Sequence, residues 1–205
     1  MRPGLPAEIG ALTLEHLVLV TTALTAALAI GIPAGILAAR HNAVRRWALA
    51  VAGAMQTIPS LALFGFLIPV PLIGGIGRRT AIVALVIYAL LPIMRNTFLG
   101  IVQVDRAVRE SAVAMGMTGR QILRDVELPL AVPSILAGVR LATVATIGTA
   151  TIAAAIGAGG LGVFIFRGVA SVDGGLILAG AIPSALLALG AEWGIGWIER
   201  KLSPR

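Results

Sequence analysis

The chain has 205 residues, of which 58% are hydrophobic and only 12% charged, with a formal net charge of +7 and no cysteine. Against roughly 45–50% and about 25% in an ordinary soluble domain, that balance excludes a soluble globule, and the lack of cysteine excludes disulfides, thiolate metal sites and thiol catalysis. Basic residues in a polytopic protein set its orientation, so the positive charge is read as a topology signal and no nucleic-acid partner is expected.

A helix needs about 20 apolar residues to cross the hydrocarbon core, and charge-free runs cover Leu17 to Ala39, Trp47 to Gly77, Leu141 to Phe166 and Gly174 to Ala191. A fifth run, Thr80 to Met94, reaches membrane length when Arg95 snorkels from the helix end to the interface. The expected fold class is all-α, a polytopic membrane protein with five spans near 14–39, 47–70, 80–100, 131–157 and 174–198. The first run is longer than the core of a signal peptide and ends in Arg40-His41-Asn42, so it is expected to stay as a span. Pro33, Pro59, Pro92 and Pro183 fall inside the spans, where each removes a backbone donor and kinks the helix. Gly31 with Gly35, and Ala150 with Ala154, give small-residue faces that let helices approach closely.

Suppose that the segments after spans one and three, and the C-terminus, face the cytoplasm. That side then carries Arg40, Arg45, Arg46, Arg95, Arg106, Arg109, Arg120, Arg124, Arg200, Lys201 and Arg205, while the opposite side carries Arg2, Arg78, Arg79 and Arg167. The positive-inside rule accordingly places the N-terminus outside and the C-terminus in the cytoplasm, with Arg78-Arg79 dissenting. The glycine-rich stretches 73–77 and 156–162 fall on the outer side.

Only the stretch from Gln103 to Pro129 looks soluble, with 8 of the 25 charged residues. It reads as two short cytoplasmic helices, the first capped by Asp105 and ended by Gly116, the second capped by Thr118 and stopped by Pro129. From Glu110 the sequence runs Glu-Ser-Ala-Val-Ala-Met-Gly, and ten positions past Gly116 it continues Val126-Glu127-Leu128-Pro129. This resembles the EAA loop of ABC importer permeases, with Ser111 in place of the first alanine and Val126 in place of isoleucine. Glu110, Ala112, Gly116, Leu128 and Pro129 are the positions that match. A rigid projection of this kind suits a motor that grips from outside, with Glu110 and nearby arginines giving polar contacts and Ala112, Val113 and Met115 entering a groove. An amphipathic helix lying on lipid headgroups would not account for the spacing through Leu128-Pro129.

The resemblance continues through 56–62 (Gln-Thr-Ile-Pro-Ser-Leu-Ala), 88–97 (Tyr-Ala-Leu-Leu-Pro-Ile-Met-Arg-Asn-Thr) and 156–162 (Ile-Gly-Ala-Gly-Gly-Leu-Gly), which look like the glycine betaine/osmoprotectant permeases. Over 14–198 it implies a MetI-like ABC permease fold in the bacterial cytoplasmic (inner) membrane, with 103–129 as its coupling loop. It further implies a second permease copy or paralogue, two ABC ATPase subunits and an extracytoplasmic solute-binding protein delivering glycine betaine, choline or carnitine. No solute-binding domain follows Arg205 in this sequence, so a separate receptor is expected. The P-loop pattern is absent and the single lysine, Lys201, sits in the tail. The chain is therefore expected to be no enzyme and to bind no cofactor, with ATP and Mg held by the partner ATPase. Rival readings are a permease for another small solute such as an amino acid, or a self-sufficient channel or ion-coupled carrier. The carrier would need midplane carboxylates and internal repeats that are not visible.

Polar groups in hydrocarbon face partners or water. Gln56, Thr57 and Ser60 around Pro59, Asn96 and Thr97 after Pro92, and Thr143 and Thr146 in span four are the candidates for pathway or inter-helix contacts. Threonine can bond a carbonyl one turn back, whereas Gln56 and Asn96 carry more hydrogen-bonding groups than a local bond satisfies. Arg140 within span four needs a partner, with Glu192 a candidate. His16 and His41 stand apart from other ligands and no catalytic constellation is recognisable, so neither a metal site nor a catalytic residue is expected.

Overall fold

The computed structural model describes residues 5–202, which form helices with no strand among them. Arg2 and Arg205, counted in the charge asymmetry, lie outside the described residues. Four helices are long and apolar enough to cross a membrane, and a fifth crossing is possible if one bent pair is a single span. α1 spans Leu5–Arg40 and α4 spans Arg78–Val102. Between them lie α2 (Asn42–Thr57) and α3 (Ser60–Leu67), which meet at 103°. The stretch expected as one span over 47–70 is therefore broken. Pro59 offers no N–H to continue the helix, and Ile58 before it takes an extended ψ of 127°, as the steric demand of a following proline ring requires.

The break is fastened to α4 by two reciprocal bonds. Gln56 Nε2 donates to the Tyr88 carbonyl at 2.8 Å, and the Tyr88 hydroxyl donates to the Ile58 carbonyl that the break leaves free. Pro33, Pro92 and Pro183 lie within continuous helices.

α4 is the central column, with α1 on one flank and α7 (Leu128–Ile152) on the other. Ala23, Ala27, Gly31 and Gly35 recur every four residues on the buried face of α1. A Cβ on Gly35 would stand 2.6 Å from Thr97 Cβ and 2.8 Å from the Met94 carbonyl of α4. Across the column, a Cβ on Gly138 of α7 would stand 2.7 Å from the Pro92 carbonyl. Backbone thus meets backbone on both flanks, the close approach by which helices associate where lipid removes the usual hydrophobic drive.

The soluble-looking segment holds α5 (Arg106–Ala114) and α6 (Gly119–Gln121). Pro129 does not stop the second helix, contrary to expectation. From Gly119 the chain stays helical to Ile156, passing through a π-helical turn at Ile122–Glu127 and ending in a 3₁₀ turn at Ala153–Ile156. The π turn lets Leu128 N–H reach back five residues to Leu123, and this wider turn relieves the clash a proline ring makes with the carbonyl four residues before it. Beyond a loop with positive φ at Gly157, Gly159 and Gly160 comes α8 (Gly162–Ser171), a short apolar helix in the stretch that the expected spans leave between them. α9 (Gly174–Leu202) closes the bundle against α7 and α8.

Polar ties fix the glycine-loop end of α1. Glu15 pairs with Arg78 at 2.6 Å and accepts the Gly160 N–H at 3.1 Å, and Glu8 pairs with Arg167 of α8 at 2.6 Å. His16, fully buried beside them, bonds through Nε2 to the Ile147 carbonyl at 3.1 Å.

The α1–α4 contact generates a prediction. Gly35→Leu should destabilise the protein in detergent by about 1–3 kcal/mol, the usual cost of overpacking, seen as a lowered unfolding midpoint. Gly190→Leu, at a site with no heavy atom within 4 Å, should leave the midpoint nearly unchanged.

Candidate functional site

The 103–129 segment is held in shape by its own caps. Asp105 accepts the Ala107 N–H at 2.8 Å and opens α5. Met117 N–H to Ala112 O at 3.1 Å and Gly116 N–H to Val113 O at 2.9 Å close it as a Schellman motif, with Gly116 at φ 80°. No heavy atom lies within 4 Å of a Cβ built on Gly116, so the left-handed backbone, not space, demands glycine here. Thr118 and Gln121 then form a capping box, Thr118 N–H donating to Gln121 Oε1 at 2.8 Å.

Glu127 ties this loop to the bundle. Its carboxylate, 0% exposed, lies between Arg40 at the end of α1 and Arg109 of α5, whose Nε is 2.9 Å away. The Arg109 contact is too bent for a hydrogen bond, so its attraction is chiefly Coulombic. Arg109 spends an Nη2 hydrogen on the Ile101 carbonyl in the last turn of α4, at 3.1 Å. Arg40 and Arg109 keep 36% and 39% of their side chains exposed, so the cations retain hydration while the anion has lost its own. A buried carboxylate in that position depends on its arginines. Within the Val126-Glu127-Leu128-Pro129 stretch, sequence alone assigns Glu127 no role. A lone acid before Leu128-Pro129 was the available signal, but Arg40 lies 87 positions away and nothing local points to it.

The other loop positions separate into outward and inward groups. Glu110 is exposed and pairs along its own helix with Arg106 at 2.6 Å. Ala112 is buried against the protein and so is not offered to a partner's groove, whereas Val113 and Met115 project outward. Leu128 is half-buried and Pro129 exposed, both in the first turn of α7.

The seven intramembrane candidates also divide. Gln56 and Asn96 line one groove of about 510 Å³ with Leu91, Pro92, Arg95, Leu99, Leu141 and Ala145. Thr97, Thr143 and Thr146 are buried in helix packing, and the first two bond the Ile93 and Val139 carbonyls one turn back, at 2.8 and 2.7 Å. Thr57 likewise bonds the Ala54 carbonyl at 2.7 Å, and Ser60 is half-buried at the start of α3. Arg140 does pair with Glu192, at 3.0 Å, and also with Glu199 at 3.3 Å, joining α7 to α9. Among the described residues no group of three or more His, Cys, Asp or Glu is placed to hold a metal ion.

Comparison with known proteins puts this geometry in context. A family model described as "Binding-protein-dependent transport system inner membrane component" matches residues 31–204. The glycine betaine/carnitine/choline transport system permease protein OpuCD of Bacillus subtilis (strain 168) is 50% identical over 176 residues, 85% of this chain and 76% of that protein. The osmoprotectant import permease protein OsmW of Salmonella typhimurium is 42% identical over 199 residues, 96% of this chain and 93% of that protein. Among solved structures, the inward-facing MetNI methionine ABC transporter superposes with a TM-score of 0.89 over 100% of both chains at 24% identity, a likeness of fold.

The buried carboxylate should dominate the stability of the loop. Glu127→Ala is expected to cost about 3–5 kcal/mol, as breaking a buried ion pair does, while Glu110→Ala should stay within about 0.5 kcal/mol, as surface changes do. Thermal unfolding of the two purified variants checks the ranking. Equal midpoints would show that Glu127 does not anchor the loop.

Proposed function

Because the chain belongs to the family of binding-protein-dependent transport system inner membrane components, we propose that it forms the translocation pathway of an ABC importer for quaternary-amine osmoprotectants. It is a multi-pass protein of the bacterial inner membrane, a transport subunit and not an enzyme. The observation that carries the substrate class is the 50% identity to a glycine betaine/carnitine/choline permease. The partners follow from the division of labour such a subunit requires: ABC ATPase chains hydrolysing ATP with Mg, an extracytoplasmic solute-binding protein, and a second permease copy or paralogue completing the path.

Coupling falls to the segment 103–129. α5 presents Val113 and Met115 with the Arg106–Glu110 pair beside them, an apolar knob with a polar rim suited to a groove on the ATPase. Its inner face, through Ala112 and Arg109, rests on the Glu127 anchor. A push delivered to α5 therefore meets a fixed support. Gly116 sets the angle of the knob and Leu128-Pro129 begin the span that receives the push.

Reconstitution with a cognate ATPase and receptor tests the function. Glycine betaine, choline or carnitine should stimulate ATP hydrolysis and enter the vesicles, while stimulation only by an amino acid would favour the alternative solute class. Purified permease alone should show no measurable binding of these amines, because it has only 9 aromatic residues in all from which to build a cage of aromatic faces.

Two variants test the placement. In this cysteine-free chain, Thr118→Cys should resist an impermeant thiol reagent in intact cells and Ser171→Cys should react, since the loop faces the cytoplasm. Reversed labelling would overturn the orientation. Gly116→Val should insert normally yet abolish transport, because a β-branched residue in the left-handed region costs roughly 1 kcal/mol or more and the helix loses its stop. Parental transport by an intact Gly116→Val complex would refute the coupling assignment.

A further inference from the structure

The two sides of the α2–α4 contact differ in chemistry. On one side lies a groove of about 430 Å³ that is apolar throughout, lined by Trp47, Val51, Met55, Ile87, Leu90 and Met94 among others. Acyl chains fill such a surface at no polar cost. On the other side lies the groove of about 510 Å³ that holds Gln56, Arg95 and Asn96. Arg95 has no acidic partner among the described residues. It sits five positions past Leu90, the middle of α4, which is about 7–8 Å along the axis. α4 runs on to Val102, so Arg95 is not at the helix end as the sequence suggests, and a charge within the helix without a protein partner faces a water-filled cavity or the bundle interior.

A second observation points the same way. The helix break at Ile58-Pro59 adjoins this groove, since Gln56 is in the last turn of α2 and bonds across to Tyr88. Non-helical backbone at membrane depth is tolerated only where protein buries it or it lines a cavity. The Gln56 amide donates to Tyr88 and the Asn96 amide to Pro92, and neither side-chain carbonyl accepts a bond among the described residues. The groove therefore offers one guanidinium, two amide carbonyls without a protein donor, and an apolar wall from Leu91, Pro92 and Leu99.

We propose that this groove lies on the solute path and that Arg95 determines specificity there, taking the carboxylate of zwitterionic quaternary amines as they pass. A betaine has two ends, and both are matched. The guanidinium forms charge-assisted, bidentate bonds to a carboxylate, while the methylated ammonium, which donates no hydrogen bond, passes over the amide carbonyls and the apolar wall. Choline has the same ammonium and no carboxylate, so Arg95 gives it nothing and repels its charge. The contact is transient and shows as a rate difference between solutes, not as tight binding. It rests on the osmoprotectant reading.

The test uses the reconstituted complex with ATPase and receptor, with glycine betaine and choline each saturating the receptor. Arg95→Gln should lower the glycine betaine to choline transport ratio about tenfold, with choline transport unchanged or raised, and Arg95→Lys should recover part of the ratio. In inside-out vesicles, Arg95→Cys should react with an impermeant thiol reagent, and glycine betaine should slow that reaction more than choline does. An unchanged ratio, an equal fall for both solutes, or no reaction at Arg95→Cys would overturn the proposal and leave Arg95 a structural role alone, and a reaction that neither amine slows would overturn it and place Arg95 at lipid headgroups. If the parental complex carries neither amine while another solute stimulates its ATPase, the osmoprotectant reading itself fails, and this proposal with it.

Discussion

One buried carboxylate organises the end of the molecule that carries α5. Glu127 is fully buried and pairs with two arginines from different elements. Taking a carboxylate out of water is costly unless cations pair with it, so α1 and α5 are both drawn to the same point on the chain. Arg109 adds the end of α4 through the Ile101 carbonyl. Three transmembrane helices and the short loop helix thus converge on a cluster whose attraction operates at close range. The exposed Arg106–Glu110 pair, although close at 2.6 Å, contributes far less because water screens it.

That anchor gains its mechanical meaning from the helix it sits on. The chain is helical from Gly119 to Ile156, through the π turn that carries Glu127, and its far end runs directly into the glycine loop held by Glu15. At 1.5 Å per residue the 38 positions amount to about 57 Å. A rod of that length joins the loop that would meet an ATPase to the loop at the opposite face. Had Pro129 stopped the helix as expected, a joint would stand between them. The wider π turn removes the joint and keeps the proline.

Much of this was legible in the sequence because it rests on local chemistry. Apolar run length gave the membrane class, Asp105 and Thr118 announced their caps, and Gly116 its left-handed turn, since each acts within a few residues. Span two was harder. Hydropathy from 47 to 70 is continuous, and only backbone sterics at Pro59 turn it through 103°. The inward rotation of Ala112 follows from the position of Arg109 three residues earlier on the same face, but that face is defined by Glu127, which pattern alone left without a task. The threonines Thr97 and Thr143 proved self-satisfied, as short hydroxyl side chains in helices can be, whereas Gln56 and Asn96 retained unmet acceptors and share a groove. Side-chain length and hydrogen-bond capacity separated pathway candidates from packing residues better than polarity did.

A solute path lined as we propose must bind loosely. Passage requires binding that is favourable enough for entry and weak enough for exit, and a deep well on the path would hold the solute against the motor. Five of the eight residues lining the groove are apolar, and its one full charge stands on a long flexible stem beside two neutral amides. A hydrated guanidinium of this kind distinguishes a carboxylate from its absence without retaining it, because the free energy gained on contact is largely offset by the water displaced. Tight recognition then falls to the solute-binding receptor proposed above, and the membrane subunit is free to combine weak discrimination with fast release.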